Sequence, residues 1–190
     1  MAAPVKQGNN NTTERRRPPS LTLPGLLLGI GLGGFVDGIV LHQILQWHLM
    51  LTDYGDYATQ TSPTVPSLED NNLWDGLFHA STWVFVLIGL FLLWRALAGG
   101  RRGTWRSLTG LLLAGWGTFN LVEGIINHHI LTVHQVRDDV ADSMWWDLGF
   151  LALGLLLLIG GLALRRSDVR SSDGVDARSG TTASTQEPAV

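Results

Sequence analysis

Four stretches of the chain, roughly Leu21 to Trp47, Trp74 to Leu97, Leu108 to Leu131 and Trp146 to Leu164, are almost continuously apolar. Each is near or above the ~20 residues that a helix needs to cross the hydrocarbon of a bilayer. Segments such as VFVLIGLFLLW and LALGLLLLIGGLAL have no polar face, whereas a helix on a soluble core keeps one side wet. In lipid the backbone must satisfy its own hydrogen bonds, which leaves helices as the spanning form for runs of this length. The expected fold is therefore an all-α membrane protein, with four transmembrane helices over residues 21–166. The charged residues, 15 % of the total, sit in tails and short connections, as that reading requires.

Residues 1–20 are polar and carry Arg15, Arg16 and Arg17 before Pro18 and Pro19, and residues 167–190 are rich in Ser, Thr, Gly, Asp and Arg. Both are expected to be disordered tails, because they have too little apolar surface to offset the entropy of ordering. Cationic flanks stay on the cytoplasmic side. The N-terminal arginines, Arg95, Arg101, Arg102, Arg106, Arg165 and Arg166 all fall on one side of the four spans, and only Arg137 falls on the other. The opposite connections carry Asp53, Asp56, Glu69, Asp70, Asp138, Asp139 and Asp142. Both termini are thus expected in the cytoplasm of a multi-pass cell-membrane protein, with Trp47, Trp74, Trp145 and Trp146 at the outer interface. These arginines set topology and form no nucleic-acid patch. The partner that the composition implies is the lipid bilayer, with a homo-oligomer or a membrane partner protein left open.

The chain also resembles itself. DGIVLHQILQWH at Asp37 to His48 matches EGIINHHILTVH at Glu123 to His134, an offset of 86 residues, with acid, Gly, Ile, His, Ile-Leu and His in register. Trp74-Asp75 and Phe78 of the second span likewise match Trp146-Asp147 and Phe150 of the fourth, at an offset of 72. Two spans per unit means that both units enter the membrane the same way, so the expected architecture is two parallel two-helix repeats.

GGFVDGIVLHQILQWH, the WDGLFH opening the second span, and FNLVEGIINHHIL followed by VH together resemble the prokaryotic membrane family called domain of unknown function 2243, over roughly Leu21 to Leu164. The resemblance implies the fold and a polar centre, and no reaction.

All six histidines lie in the outer half or at its rim. At ~1.5 Å per residue, His42 is about 8 Å inward from Trp47 and Asp37 about 15 Å. An intramembrane carboxyl costs at least ~2.5 kcal/mol and so needs partners or a site. There is no cysteine, so any metal must use histidine, carboxylate or amide ligands. The candidate ligands are His42, His79 and His128, with Asp37 and Glu123 as ligands or acceptors and His129 and His134 behind them. An ion of Fe, Zn, Mn or Cu(II) suits this chemistry. On a regular α-helix, however, Glu123 and His128 point about 140° apart, as do Asp37 and His42. Asp75 and Asp147 read as helix-capping carboxylates, and His48 and His134 at the rim have a plainer reading as wet interfacial residues. Alternatives are a haem held by His42 and His128, a proton or cation pathway through Asp37 and Glu123, and an assembly subunit whose acids and histidines only lock the packing. Whether the protein is an enzyme stays open at this level.

Overall fold

The computed structural model describes residues 20–59 and 64–183. The N-terminal tail expected up to residue 20 therefore falls almost wholly outside the described residues. The described chain is helical: α1 (Thr22–Val36) runs into a π-helical segment (Asp37–Ile44), α2 spans Val65–Ala98, α3 (Trp105–Glu123) runs into a second π segment (Gly124–Ile130), and α4 spans Met144–Ala183. All four helices are long and apolar enough to cross a membrane.

Two ends differ from the sequence reading. α2 starts well before Trp74, because Thr64 and Ser67 form a reciprocal N-terminal box in which Thr64 N–H donates to Ser67 Oγ at 2.8 Å and Ser67 N–H to Thr64 Oγ1 at 3.4 Å. α4 continues as helix to Ala183, into the stretch expected to be disordered, while residues 184–190 lie outside the described residues. Extending an existing helix adds one hydrogen bond per residue fixed, which is far less costly than nucleating one.

α1 and α3 form the middle of the bundle: α1 packs on α2 and α3, and α3 packs on α1 and α4. Within an apolar 18-residue window of each span, buried residues make up 50 % in the first and 44 % in the third, against 11 % in the second and 17 % in the fourth, so α2 and α4 present their sides outward. Those sides carry exposed Trp83, Leu87, Phe91, Leu155, Leu156 and Ile159, a surface suited to acyl chains.

The central crossing is a backbone contact. A Cβ placed on Gly29 would sit 2.8 Å from the Gly115 Cα, and one on Gly115 would sit 2.8 Å from the Gly29 Cα. Glycine at both positions is what lets α1 and α3 approach this closely.

Beyond that crossing the two inner helices behave alike at positions 86 residues apart. Leu45 N–H donates to Val40 C=O (2.8 Å) and Leu131 N–H to Ile126 C=O (2.7 Å), closing each π segment. Gln46 and Thr132 then take φ of 50° and 47°, left-handed conformations that turn the chain back over the bundle. The two connections meet there, with Asp53 N–H donating to Val133 C=O (2.9 Å) and Asp138 N–H to Trp47 C=O (3.0 Å).

Gly29→Ala is expected to destabilise the fold by about 1–3 kcal/mol through overpacking at a site whose neighbours are backbone. Gly160→Ala, where a Cβ meets nothing within 4 Å, should be neutral or slightly stabilising. Unfolding in detergent followed by circular dichroism compares the two.

Candidate metal centre

The π segments decide which side chains face each other. Their i→i+5 hydrogen bonding brings residues five apart onto one face, so Asp37 meets His42 (Oδ2 to Nε2, 3.4 Å) and Glu123 meets His128 (Oε1 to Nε2, 3.1 Å). The divergence expected from α-helical geometry is thereby corrected. Gly38 follows the first acid at a point where a Cβ would collide with the His79 ring at 2.6 Å, so a larger residue has no room there.

Four imidazoles, those of His42, His48, His128 and His134, are buried together at this end of the bundle. Each turns its Nδ1 toward an oxygen. His42 Nδ1 is 2.9 Å from Asp75 Oδ1, and His128 Nδ1 is 3.1 Å from Asp147 Oδ1, in contact but not aligned as a hydrogen bond. His48 Nδ1 donates to the Val136 carbonyl at 3.0 Å and His134 Nδ1 to the Met50 carbonyl at 3.1 Å. These last two bonds are reciprocal, each histidine reaching over the other's connection.

Because a carbonyl only accepts, the Nδ1 of His48 and of His134 must carry a proton, which leaves Nε2 as a lone-pair acceptor in the neutral ring. His48, beyond the first π segment, is neutral at physiological pH, since burial pushes its pKa down to about 2. Its Nε2, like that of His42 and like Glu123 Oε2, is buried with no hydrogen-bond partner. His134 Nε2 lies 3.1 Å from Glu123 Oε1, as does His128 Nε2. The rings are close: His48 stacks on His134 with centroids 4.5 Å apart, His42 is 4.4 Å from His48, and His128 is 5.2 Å from His134. Two groups, His42 with His48 and His134, and Glu123 with His128 and His134, each offer ligand atoms within 4.8 Å of one another.

Of the residues singled out from sequence, Asp37, His42, Glu123, His128 and His134 come together and two do not. His79 Nδ1 bonds the carbonyl of Asp75 one turn earlier on its own helix (2.8 Å), and His129 is exposed. His48 is the residue that the sequence reading missed, although its pairing with His134 in the repeated motif was the available signal. Asp75 is not a cap, whereas Asp147 does stand in the first turn of α4, where a carboxylate favours the helix N-terminus. Asp75 lies ten residues into α2, takes His42 Nδ1 and also accepts from the Gln43 amide. Asp147 accepts the Val136 N–H at 2.9 Å beside His128. The described partners of the four carboxylates Asp37, Asp75, Glu123 and Asp147 are imidazoles, the Gln43 and Asn127 amides and backbone N–H groups, with no arginine or lysine among them.

A family model described as "Predicted membrane protein (DUF2243)" matches residues 24–168, which takes in all four spans and every residue of the cluster. The chain belongs to this family. No curated protein and no solved structure matches it. For DUF2243 the match supports an integral membrane protein and leaves its chemistry to be read from the site.

Above the cluster, Asp138 has its carboxyl pushed up to about 6, first by burial. A raised carboxyl favours folding with the proton on, so its contribution is intact below about pH 4 and is lost as the pH rises through 6. Wild-type protein should therefore lose roughly 1–2 kcal/mol between pH 4 and pH 7 relative to Asp138→Asn, measured by thermal unfolding across that range.

Proposed function

We propose that this protein is a membrane-embedded metal protein, in which two adjoining ligand groups that share His134, namely His42 with His48 and His134 and Glu123 with His128 and His134, hold divalent transition-metal ions, with Asp37 beside His42. The observation that carries the reading is the orientation of the four buried imidazoles. Metal-bound histidines fix their second nitrogen on a carboxylate or carbonyl, and here all four Nδ1 atoms face such an oxygen while the Nε2 atoms turn inward.

Three further facts support it. With Nδ1 donating to the Met50 carbonyl, the Nε2 of His134 meets Glu123 Oε1 at 3.1 Å, an approach that needs a proton or a metal ion between the two. The separations of 3.1 and 3.4 Å match the ~3.3 Å ligand-to-ligand edge of a tetrahedral site with bonds near 2.0–2.1 Å. Among the described residues no arginine or lysine faces the four buried carboxylates, so bound divalent ions would offset charge that imidazoles otherwise meet alone.

Three protein ligands per group leave a position open, which is the pattern of reactive rather than structural sites. Nitrogen and oxygen ligands suit Fe, Mn, Zn or Cu(II). A resident centre fits better than a transport path, because the Gly29–Gly115 contact and buried Leu28, Leu111 and Ala114 close the other half of the bundle with apolar groups. A porphyrin between His42 and His128 is disfavoured by the rings of His48 and His134 packed between them. The site is accordingly read as a redox or metal-handling centre in the outer half of the membrane, built by duplication of a two-helix unit and with both termini in the cytoplasm. The paired hydrogen bonds offset by 86 residues support the duplication, and the arginine distribution supports the orientation.

Elemental analysis of gently purified protein is expected to find about two equivalents of one transition metal, and less than about 0.2 overturns the reading. His48→Ala and His134→Ala should remove most of the metal, Asp75→Asn should weaken retention about 10–100-fold, and His79→Ala and His129→Ala should leave it unchanged.

A further inference from the structure

α1 and α4 both pack along α3, and they meet each other at the far end of the bundle, where Arg165 Nη2 donates to Thr22 Oγ1 at 2.7 Å. Between them lies a cavity of about 540 Å³. Its walls include Val36, Leu41, Trp146, Phe150 and Leu153, and its lining holds only two groups with a charge or an amide, Asp37 and Asn120. Asn120 is 2 % exposed and its Oδ1 has no hydrogen-bond partner. Asp37, equally buried, touches His42 of the cluster.

The opposite face has counterpart cavities, between α2 and α3, that reach Glu123, Asn127 and His134. There the amide is already engaged, since Asn127 Nδ2 donates to Glu123 Oε1 at 3.5 Å. Of these three cavities, the α1–α4 one is lined by a residue with a buried, unpartnered amide oxygen, Asn120.

We infer that the α1–α4 cavity binds a lipophilic alcohol or phenol, arriving through the bilayer, whose hydroxyl sits against Asn120 and Asp37. An unsatisfied buried amide costs free energy that a ligand hydroxyl recovers. The head group must be neutral, because a charged one would have to cross hydrocarbon to reach the floor. It must donate, because a carboxylate and an amide oxygen wait for it. The remaining walls need an apolar body, and the volume lies in the range of small-molecule sites. The ligand class deepens the metal reading, by placing the hydroxyl beside Asp37, which touches the proposed ligand His42. Binding itself does not require the ion.

Trp47, Trp116, Trp145 and Trp146 line this cavity, so its occupancy can be followed by quenching of their fluorescence. The probes are a long-chain alcohol brominated at its far end and a bromoalkane of the same length, titrated into the full chain in nanodiscs. The alcohol is expected to quench saturably at a concentration about tenfold or more below the alkane, as one hydrogen bond to a buried group implies. Asn120→Leu should abolish that preference. Gly149→Leu should abolish saturable quenching, since Gly149 lines the cavity with nothing within 4 Å of an added Cβ, whereas Gly160→Leu, equally uncrowded but outside the cavity, should not. Equal quenching by alcohol and alkane in the wild type would mean an ordinary acyl-chain groove and overturns the inference, as does a preference that survives Asn120→Leu. Metal content is measured on the same samples. Preference without metal keeps this inference and removes the metal reading, and metal without preference does the reverse.

Discussion

A buried imidazole has two nitrogens, and in this bundle one of each pair is turned to an oxygen supplied by another segment of the chain. Asp75 of α2 faces His42 of the first π segment, Asp147 of α4 faces His128 of the second, and the two connections exchange carbonyls through His48 and His134. The remaining nitrogens are thereby aimed at one another and at Glu123 and Asp37. Polar atoms packed in this way inside an apolar bundle are costly unless something joins them. The rest of the fold serves to hold them at that spacing.

The helix crossing and the π segments supply that geometry. Gly29 against Gly115 brings α1 and α3 together at the backbone, so that the polar ends of both helices lie side by side. The π segments then rotate acid and histidine onto one face, and the left-handed residues Gln46 and Thr132 return the chain over the cluster. Thr132 is β-branched, and its positive φ is strained. Strain of this kind persists where surrounding contacts over-determine it, as the Asp53 to Val133 and Asp138 to Trp47 bonds do here.

Much of this was legible in the sequence. The four apolar runs gave the spans, because lipid leaves helices few alternatives, and the paired acid-to-histidine motifs marked both halves of the site. What periodicity could not show was the change from α to π hydrogen bonding at Asp37 and Glu123, since propensity does not distinguish the two. With 3.6 residues per turn the acids and histidines diverge, so the ligand set could not be closed on paper. His79 lies one turn below Asp75 on the same face, and neither depth nor face reveals that its ring is engaged by its own helix. Asp75 looked like a cap only because the start of α2 at the Thr64 box was not recognised. Position puts both His48 and His134 at the rim, and position does not reveal that the two rings are buried over the cluster.

The claim on which the account turns is that imidazole nitrogens from both halves, with the Glu123 carboxylate, surround bound metal. X-ray absorption at the edge of whichever metal copurifies examines that shell directly. The account predicts nitrogen and oxygen neighbours at about 2.0–2.1 Å with the multiple scattering of two histidine rings per ion, reduced on replacing His48 or His134. A shell of oxygen alone, or one unaltered by those replacements, would contradict it.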